Sequence, residues 1–516
     1  MNTDKSKQTK RIAKNTVTIY IRLFFVMLVG LYTSRVTLDV LGVQDFGIYN
    51  LVGGIIIVMN FVCNSMALAV NRFLAYNIGI GDTDKTRETF SMAVNIHLII
   101  ALVVILLGET IGLWFVNTQL VIPADRMAAA NVVYQSSILS FALTIIGTPY
   151  NSDIIAHEKM GIYAFVGIVQ CLLKLCAALA LPFDTADKLT VYALLMTLPA
   201  ITYIGINYFY TKHHFKETDY KWHWSKRLFI EMSKFAGFST FGNMATAIVN
   251  QGQSILLNIF YGPALNAVRG LAMQVNGAIG AFVNGIYTAV NPQIIKSYAC
   301  NDKKYFMQLV FNSTTLTYYL LFTITLPVFL EIETILSIWL KDIPDYTVEF
   351  MRLILINSLV YNFVTPTWMA LQATGQVARI HLVTGSINLM NLAITYLMWK
   401  LFKLEPYTII MVNVAISLIM QLATVAIQRQ QLDIRISVYA NEVLMPVLRS
   451  SAVSVILPLV VYTNMDKDII RFFVTFAVSF TSCITSFYFF GLKKEAKQYI
   501  TNIAKYRLAN LKKKNK

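Results

Sequence analysis

The sequence predicts an all-α integral membrane protein. It reads as about fourteen transmembrane helices: two parallel six-helix repeats, two further C-terminal helices, and a central cavity between the lobes. Three observations predict this class. Of 516 residues, 56% are hydrophobic and only 14% are charged, whereas a soluble globular chain carries about 25% charged residues. Apolar runs of the ~20 residues that carry a helix across a bilayer core recur from about residue 17 to about residue 490. Finally, motifs of the first half recur in the second at nearly constant shifts of 220 and 217 residues.

The spans fall at 15–37, 46–76, 89–116, 128–152, 160–181, 189–211, 228–259, 266–294, 305–330, 348–371, 379–402, 407–428, 442–463 and 469–491. With the N-terminus assigned to the cytoplasm, the cytoplasmic connections hold about 29 Lys and Arg and the opposite ones about six, as the positive-inside rule requires. The basic stretches are "DKSKQTKRIAK" at 4–14, "KHHFKETDYKWHWSKR" at 212–227 and "YRLANLKKKNK" at 506–516. Both termini are therefore expected in the cytoplasm of a multi-pass protein. The formal charge of +16 sits where anionic lipid headgroups account for it, and no nucleic-acid motif accompanies it. No cleavage site follows the basic N-terminus. The five cysteines form no ligand cluster and read as buried apolar residues.

The repeat shows in "ALAVNRF" at 67–73 and "YTAVNPQ" at 287–293. A shift of 220 residues places Asn71 on Asn291, Gly42 on Gly262, Asn64 on Asn284 and Asp82 on Asp302. A second pair, "TPYNSDIIA" at 148–156 and "TPTWMALQA" at 365–373, aligns at a shift of 217. The organisation expected is an N-terminal lobe 1–211, a basic linker 212–227, a C-terminal lobe 228–428, two added helices in 429–491 and a basic tail 492–516. Parallel repeats of this kind hold substrate between them.

Helical residues three or four apart share a face. The second span carries Asn50, Asn60, Asn64 and Asn71 on one stripe. The seventh carries Ser239, Asn243, Thr246, Asn250 and Gln253, and the eighth Asn276, Asn284 and Asn291. Amides are costly against lipid because their donors and acceptors go unmet. Any one amide can serve an interhelical hydrogen bond worth about 0.6 kcal/mol; three continuous stripes favour a hydrated cavity.

Charges inside the spans are mostly basic: Arg22, Arg35, Arg72, Lys174, Arg269 and Arg449, against Glu109. An Arg at the centre of a spanning helix costs roughly 2.5–3.5 kcal/mol, although those near helix ends can snorkel. Guanidinium groups bind phosphate in bidentate fashion. Arg22, Arg35, Arg72 and Arg269, with Asn64, Asn71, Asn243, Asn250, Asn284 and Asn291, are therefore the candidate binding residues for an amphipathic anion. Asp39, one turn from Arg35, is its expected partner or a coupling-ion site.

The layout, the opening "NTVTIYIRLFFVMLVGLYTSRVTLDVLGVQDFGIYNLV" and its "LGVQDFGIYNLV" turn resemble the polysaccharide transporter family. These are the Wzx-like O-antigen flippases of bacteria, within the multidrug/oligosaccharidyl-lipid/polysaccharide exporter superfamily. The resemblance spans nearly the whole chain. It implies flipping of undecaprenyl-diphosphate-linked oligosaccharide across the bacterial cytoplasmic membrane by alternating access, for surface polysaccharide biosynthesis. It also implies a cavity lined by the first, second, seventh and eighth spans, an ion gradient of Na⁺ or H⁺ as drive, and polysaccharide polymerase machinery as partner. No GxxxxGK[ST] loop is present, so ATP drive is not expected, and no cofactor is.

The rival within the superfamily is an ion-coupled exporter of drugs or small molecules. That reading needs acidic residues for cationic drugs, and the basic set argues against it. An enzyme, such as a polymerase or ligase, needs a sizeable outer loop; the longest here, about 331–347, holds no metal-ligand cluster. The histidines are cytoplasmic (His213, His214, His223) or isolated (His97, His157, His381). Two unequal halves do not suggest a symmetric pore.

Overall fold

The computed structural model describes residues 2–57, 60–118, 120, 122–183, 187–339, 343–491 and 497. All regular structure among them is helical. In chain order the helices are α1 (Asn2–Ile57), α2 (Asn60–Ile80), α3 (Thr83–Leu107), α4 (Leu113–Thr118), α5 (Met127–Ala156), α6 (Met160–Ala180), α7 (Lys188–Leu195), α8 (Leu198–His214), α9 (Lys226–Tyr261) and α10 (Pro263–Ala299). There follow α11 (Lys303–Leu330), α12 (Ile332–Trp339), α13 (Thr347–Tyr361), α14 (Val364–Thr374), α15 (Ala378–Phe402), α16 (Thr408–Leu432), α17 (Ile436–Tyr439), α18 (Met445–Asn464) and α19 (Ile469–Ser486). The basic tail expected over 492–516 lies outside the described residues except for 497.

Among the described residues, eleven segments are long and apolar enough to cross a membrane. Three of the fourteen expected spans, at 46–76, 228–259 and 266–294, are helical over their described residues (58 and 59 lie outside these) but fall outside that set. They are the three that carry the amide stripes, and those amides lower the mean hydropathy. Several spans are broken. The sixth divides into α7 and α8, with Pro199 in the first turn of α8, and the tenth divides into α13 and α14 ahead of Pro366. Proline removes an intrahelical donor and clashes with the preceding turn.

No loop separates the first two spans. Helix α1 runs through the expected connection and turns at Gly42, where φ is 76° and ψ 169°. Positions superposed by the 220-residue shift share such geometry. Gly262, between α9 and α10, has φ 84°, and Gly81 and Asn301 have φ 82° and 57°. Asp82 accepts from the Lys85 backbone N–H and Asp302 from that of Tyr305, both at 3.0 Å, so each caps the helix that follows. At the shift of 217, Glu158 (φ 61°) falls on Gly375 (φ 80°).

An L side chain at Gly42 meets no atom within 4 Å, so its cost is backbone strain alone, about 1–3 kcal/mol. Gly42→Ala is expected to lower the Tm of the purified protein. Gly47→Ala, equally uncrowded but at ordinary helical φ, should raise Tm slightly, since Ala favours a helix over Gly.

The chain divides into two compact units. The first comprises 1–244, 284–306 and 369–385; the second comprises 245–283, 307–368 and 386–516. In the first, α5 packs against α1, α2, α3, α6, α7 and α8. Its 30 residues span about 45 Å at 1.5 Å per residue, and an ionic cluster sits at each end. At its start Arg126 holds Asp45 with two nitrogens and Asp187 at 2.7 Å. At its finish Asp153, His157 and Glu158 meet Arg11, Glu217 and Lys296. Within this unit the segments around Asp45, Arg126 and Asp187 thus meet at one end of α5, and those around Arg11, His157, Glu217 and Lys296 at the other.

In the second unit, Leu257, Val268, Ala272, Leu336, Phe350 and Trp399 form one buried cluster. Tyr318, Phe322, Val447, Cys483 and Phe487 form another, joining α11 to α18, α19 and the segment after α19.

Candidate functional site

The candidate arginines differ in what surrounds them. Arg269, on α10 in the second unit, is buried, with 7% of its surface exposed. Its Nη1 donates to Ser254 Oγ at 2.8 Å, and its Nη2 to Gln253 Oε1 at 3.2 Å and Asn250 Oδ1 at 3.4 Å. Gln253 in turn donates to Asn391 and Asn413 at 2.9 and 2.6 Å, and Asn391 donates to Asn413. The 4-3-4-3 spacing on α9 puts Asn250 and Gln253 on one face toward this cluster. The Arg269 Nε has no hydrogen-bond partner among the described residues. Every acceptor it meets is neutral, so the positive charge is solvated by amide dipoles and uncompensated.

Arg22, on α1 in the first unit, lies over the Tyr163 ring at 4.3 Å. It packs on Gly167, where a Cβ would come within 2.1 Å of its Nε. That Nε likewise lacks a partner among the described residues. Gly167→Ala would push the flexible guanidinium off the ring, forfeiting about 0.5–2 kcal/mol of cation–π attraction. The expected result is a nearly unchanged Tm with transport lowered several-fold in a complementation assay.

Arg72, on α2 in the first unit, donates to the Ala373 carbonyl at 3.3 Å. It sits 4.7 and 5.0 Å from the Phe73 and Tyr76 rings, against Gly375. Its fork is thus partly engaged by backbone. Among the described residues, no carboxylate lies within ion-pair distance of Arg22, Arg72 or Arg269.

Arg35 and Asp39 are both exposed on α1. The sequence reading pairs them, yet no ion pair joins them among the described residues. Exposed charges one helical turn apart gain only about 0.3–0.5 kcal/mol from pairing.

The amides do not act alike. Asn64 and Asn284 are exposed. Asn71 donates to the Ser152 carbonyl at 3.3 Å and Asn243 to Ser65 Oγ at 3.1 Å. These two, with Asn250, serve hydrogen bonds between helices. Asn291 is buried and its Oδ1 has no partner among the described residues. Asn50 and Asn60 lie where side chains are outside the described set.

Two groups escaped sequence reasoning. Asn391 and Asn413 were legible as amides in apolar helices, but not as partners of Arg269. His157, expected to be isolated, lies between two carboxylates: Nδ1 is 3.3 Å from Asp153 and Nε2 is 3.0 Å from Glu217. These three residues bring one ligand atom each within 4.8 Å of one another. Since opposite ring nitrogens face the two acids, the arrangement is that of an imidazolium bridge rather than of a metal held by one nitrogen.

No protein-family model matches the chain, and no curated protein sequence does. Solved structures do match. A MOP superfamily transporter from Pyrococcus furiosus, described as having a binding pocket of reverse polarity that suggests a different function, aligns with TM-score 0.72 at 11% identity, over 83% of this chain and 96% of its own. The fold is MATE-like. A MATE transporter of Vibrio cholerae aligns with TM-score 0.70 at 15% identity, over 83% and 99% of the two chains. An outward-facing multidrug resistance MATE family transporter aligns with TM-score 0.72 at 11% identity, over 83% and 96%. At these identities the likeness speaks for the fold.

Proposed function

We propose that the chain is a transporter that carries an anionic lipid-linked oligosaccharide, of the undecaprenyl-diphosphate type, across the bacterial cytoplasmic membrane by alternating access. The observation that carries this reading is Arg269: a buried guanidinium with neutral partners and no counter-charge among the described residues. A buried cation is stable only when paired or well solvated, and a diphosphate offers the oxygen pairs that its fork accepts. Arg22, half-buried over the Tyr163 ring and with no carboxylate at ion-pair distance among the described residues, supports the reading as a second guanidinium. Arg35, Asn64 and Asn284 are accessible for polar contacts to headgroup or glycan. Asp39 is the proposed site for the coupling ion, Na⁺ or H⁺.

The second reading is an ion-coupled exporter of drugs or small molecules. It is favoured by the fold shared with a multidrug resistance MATE family transporter. A cationic drug needs a free carboxylate, and two acids near the membrane are already engaged. Glu331 grips Arg471, and Glu109 accepts from Gln135 at 3.0 Å.

Deleting the gene in its host and extracting the membrane lipids separates the two. Accumulated lipid-linked repeat units with lost surface polysaccharide are expected. Unchanged lipid intermediates with altered drug sensitivity would promote the exporter.

A further inference from the structure

We propose that His157 is a proton-binding site that works as a clasp: its bound proton joins the wholly buried Asp153 of α5 to Glu217 of the α8–α9 linker, holding that linker against the α5–α6 turn. The proposal does not rest on the identity of the substrate.

The geometry requires two N–H donors. His157 Nδ1 is 3.2 Å from the Asp153 backbone carbonyl and 3.3 Å from an Asp153 carboxylate oxygen, and Nε2 is 3.0 Å from a Glu217 oxygen. A neutral imidazole has one N–H and one lone pair. It would donate on one side and turn its lone pair on an acceptor, the Asp153 carbonyl or the Glu217 carboxylate, on the other. The imidazolium donates Nδ1–H to the Asp153 backbone carbonyl and turns its second N–H on Glu217, with its charge against both carboxylates. Asp153 has no exposed surface, its two carboxylate oxygens have no hydrogen-bond partner among the described residues, and the His157 ring lies at ion-pair distance from one of them. Phe215 stacks on the imidazole, 3.9 Å between ring centroids and 15° between planes, and shields it from water.

The surrounding charges come from several elements. Arg11 of α1 donates to the His157 carbonyl at 2.7 Å. Glu158 binds Lys296 and Gln293 of α10 at 2.6 and 2.5 Å and faces Arg11 at 3.5 Å. Arg87 of α3 reaches the Lys216 carbonyl at 3.4 Å. The positive groups among these oppose protonation of the ring, and burial opposes it more. The two carboxylates outweigh both, raising the His157 pKa from 6.5 to about 9. Glu217 moves the other way: burial raises its pKa, but the hydrogen bond and charge of His157 bring it below the usual carboxylate range.

Linkage gives the sign. A group whose pKa is raised in the closed form contributes fully to closure below the free value of 6.5. Its contribution falls about tenfold in the closed-to-open ratio per pH unit above that and is gone above about 9. Opening at cytoplasmic pH therefore releases a proton, and closing captures one.

The test uses the full chain in detergent, with its native cysteines replaced. Thr218→Cys is the probe: Thr218 is 5% exposed and its hydroxyl donates within the linker to the Phe215 carbonyl at 2.7 Å. Lys221→Cys, at an exposed position, is the reference that removes the intrinsic pH dependence of thiol labelling. The labelling ratio should stay flat below pH 6.5 and rise about tenfold per pH unit toward pH 9. His157→Gln and Glu217→Gln should hold it at the high level at every pH. Should a variant fail to fold, carbon-13 histidine NMR of the otherwise unaltered chain still decides: one imidazole titrating near pH 9 supports the clasp. A ratio independent of pH, no histidine titrating above about 7, or protection of Thr218→Cys by stoichiometric zinc at pH 9 would overturn it.

Discussion

Arg269→Gln is expected to abolish most transport while leaving the chain folded. Glutamine keeps a polar group beside Ser254 and Gln253, and Gln253 retains Asn391 and Asn413 as acceptors, so few buried groups are orphaned. What disappears is the positive charge. A hydrogen bond to a charged group is worth about 1.5–3 kcal/mol, which corresponds to roughly a 10- to 150-fold loss of transport rate at limiting substrate. Arg269→Lys keeps the charge but loses the planar fork, and should fall between the two. Surface polysaccharide and lipid-linked intermediates in a complemented deletion strain, measured beside protein level and Tm, check all three.

The largest effect on stability is expected at Arg471. Its Nε and Nη2 bind Glu331 at 3.0 and 3.1 Å. Glu331 also accepts from Thr475 and Thr334 at 3.0 and 2.8 Å, and Tyr462 lies 4.6 Å from the guanidinium. Every carboxylate lone-pair direction is used, with Glu331 fully buried. This bidentate pair ties α19 to the junction of α11 and α12. Removing one partner from a buried pair costs about 3–5 kcal/mol, since the other charge is left uncompensated. Arg471→Ala should therefore lower Tm sharply. Glu331→Leu combined with Arg471→Met should recover much of the loss, because replacing both charges leaves none stranded. A double variant no more stable than the single one would show that the pair does more than offset its own desolvation.

Much of the fold can be read from the chain because the bilayer demands it. Apolar length marks a span whatever its neighbours, and Gly42, Gly262, Asp82 and Asp302 signal turns and caps through local backbone chemistry. The three expected spans carrying the amide stripes are helical among the described residues but stay outside the eleven apolar candidate spans. Partners distant in sequence were not accessible in this way. Glu331 and Arg471 are 140 residues apart, and His157 and Glu217 are 60 apart in numbering, each at the edge of a different span. A lone His or Glu at a helix end carries no mark of what will face it. The arginines were legible as misplaced charges, but whether each meets a carbonyl (Arg72), a ring (Arg22) or an amide cluster (Arg269) depends on tertiary packing. The same holds for Arg35 and Asp39, whose sequence spacing suggests a pair that the exposed face of α1 does not enforce.

Translocation itself is the most direct measurement. The purified chain is reconstituted into liposomes bearing a fluorescent undecaprenyl-diphosphate oligosaccharide, and loss of label from the outer leaflet is followed with a membrane-impermeant quencher. The wild type should exchange the lipid between leaflets well above protein-free vesicles, Arg269→Gln should stay at background, and a cationic dye should move in neither. Lipid exchange no faster than in empty vesicles, together with efflux of the cationic dye by wild type and Arg269→Gln alike, would contradict an anionic lipid as the cargo.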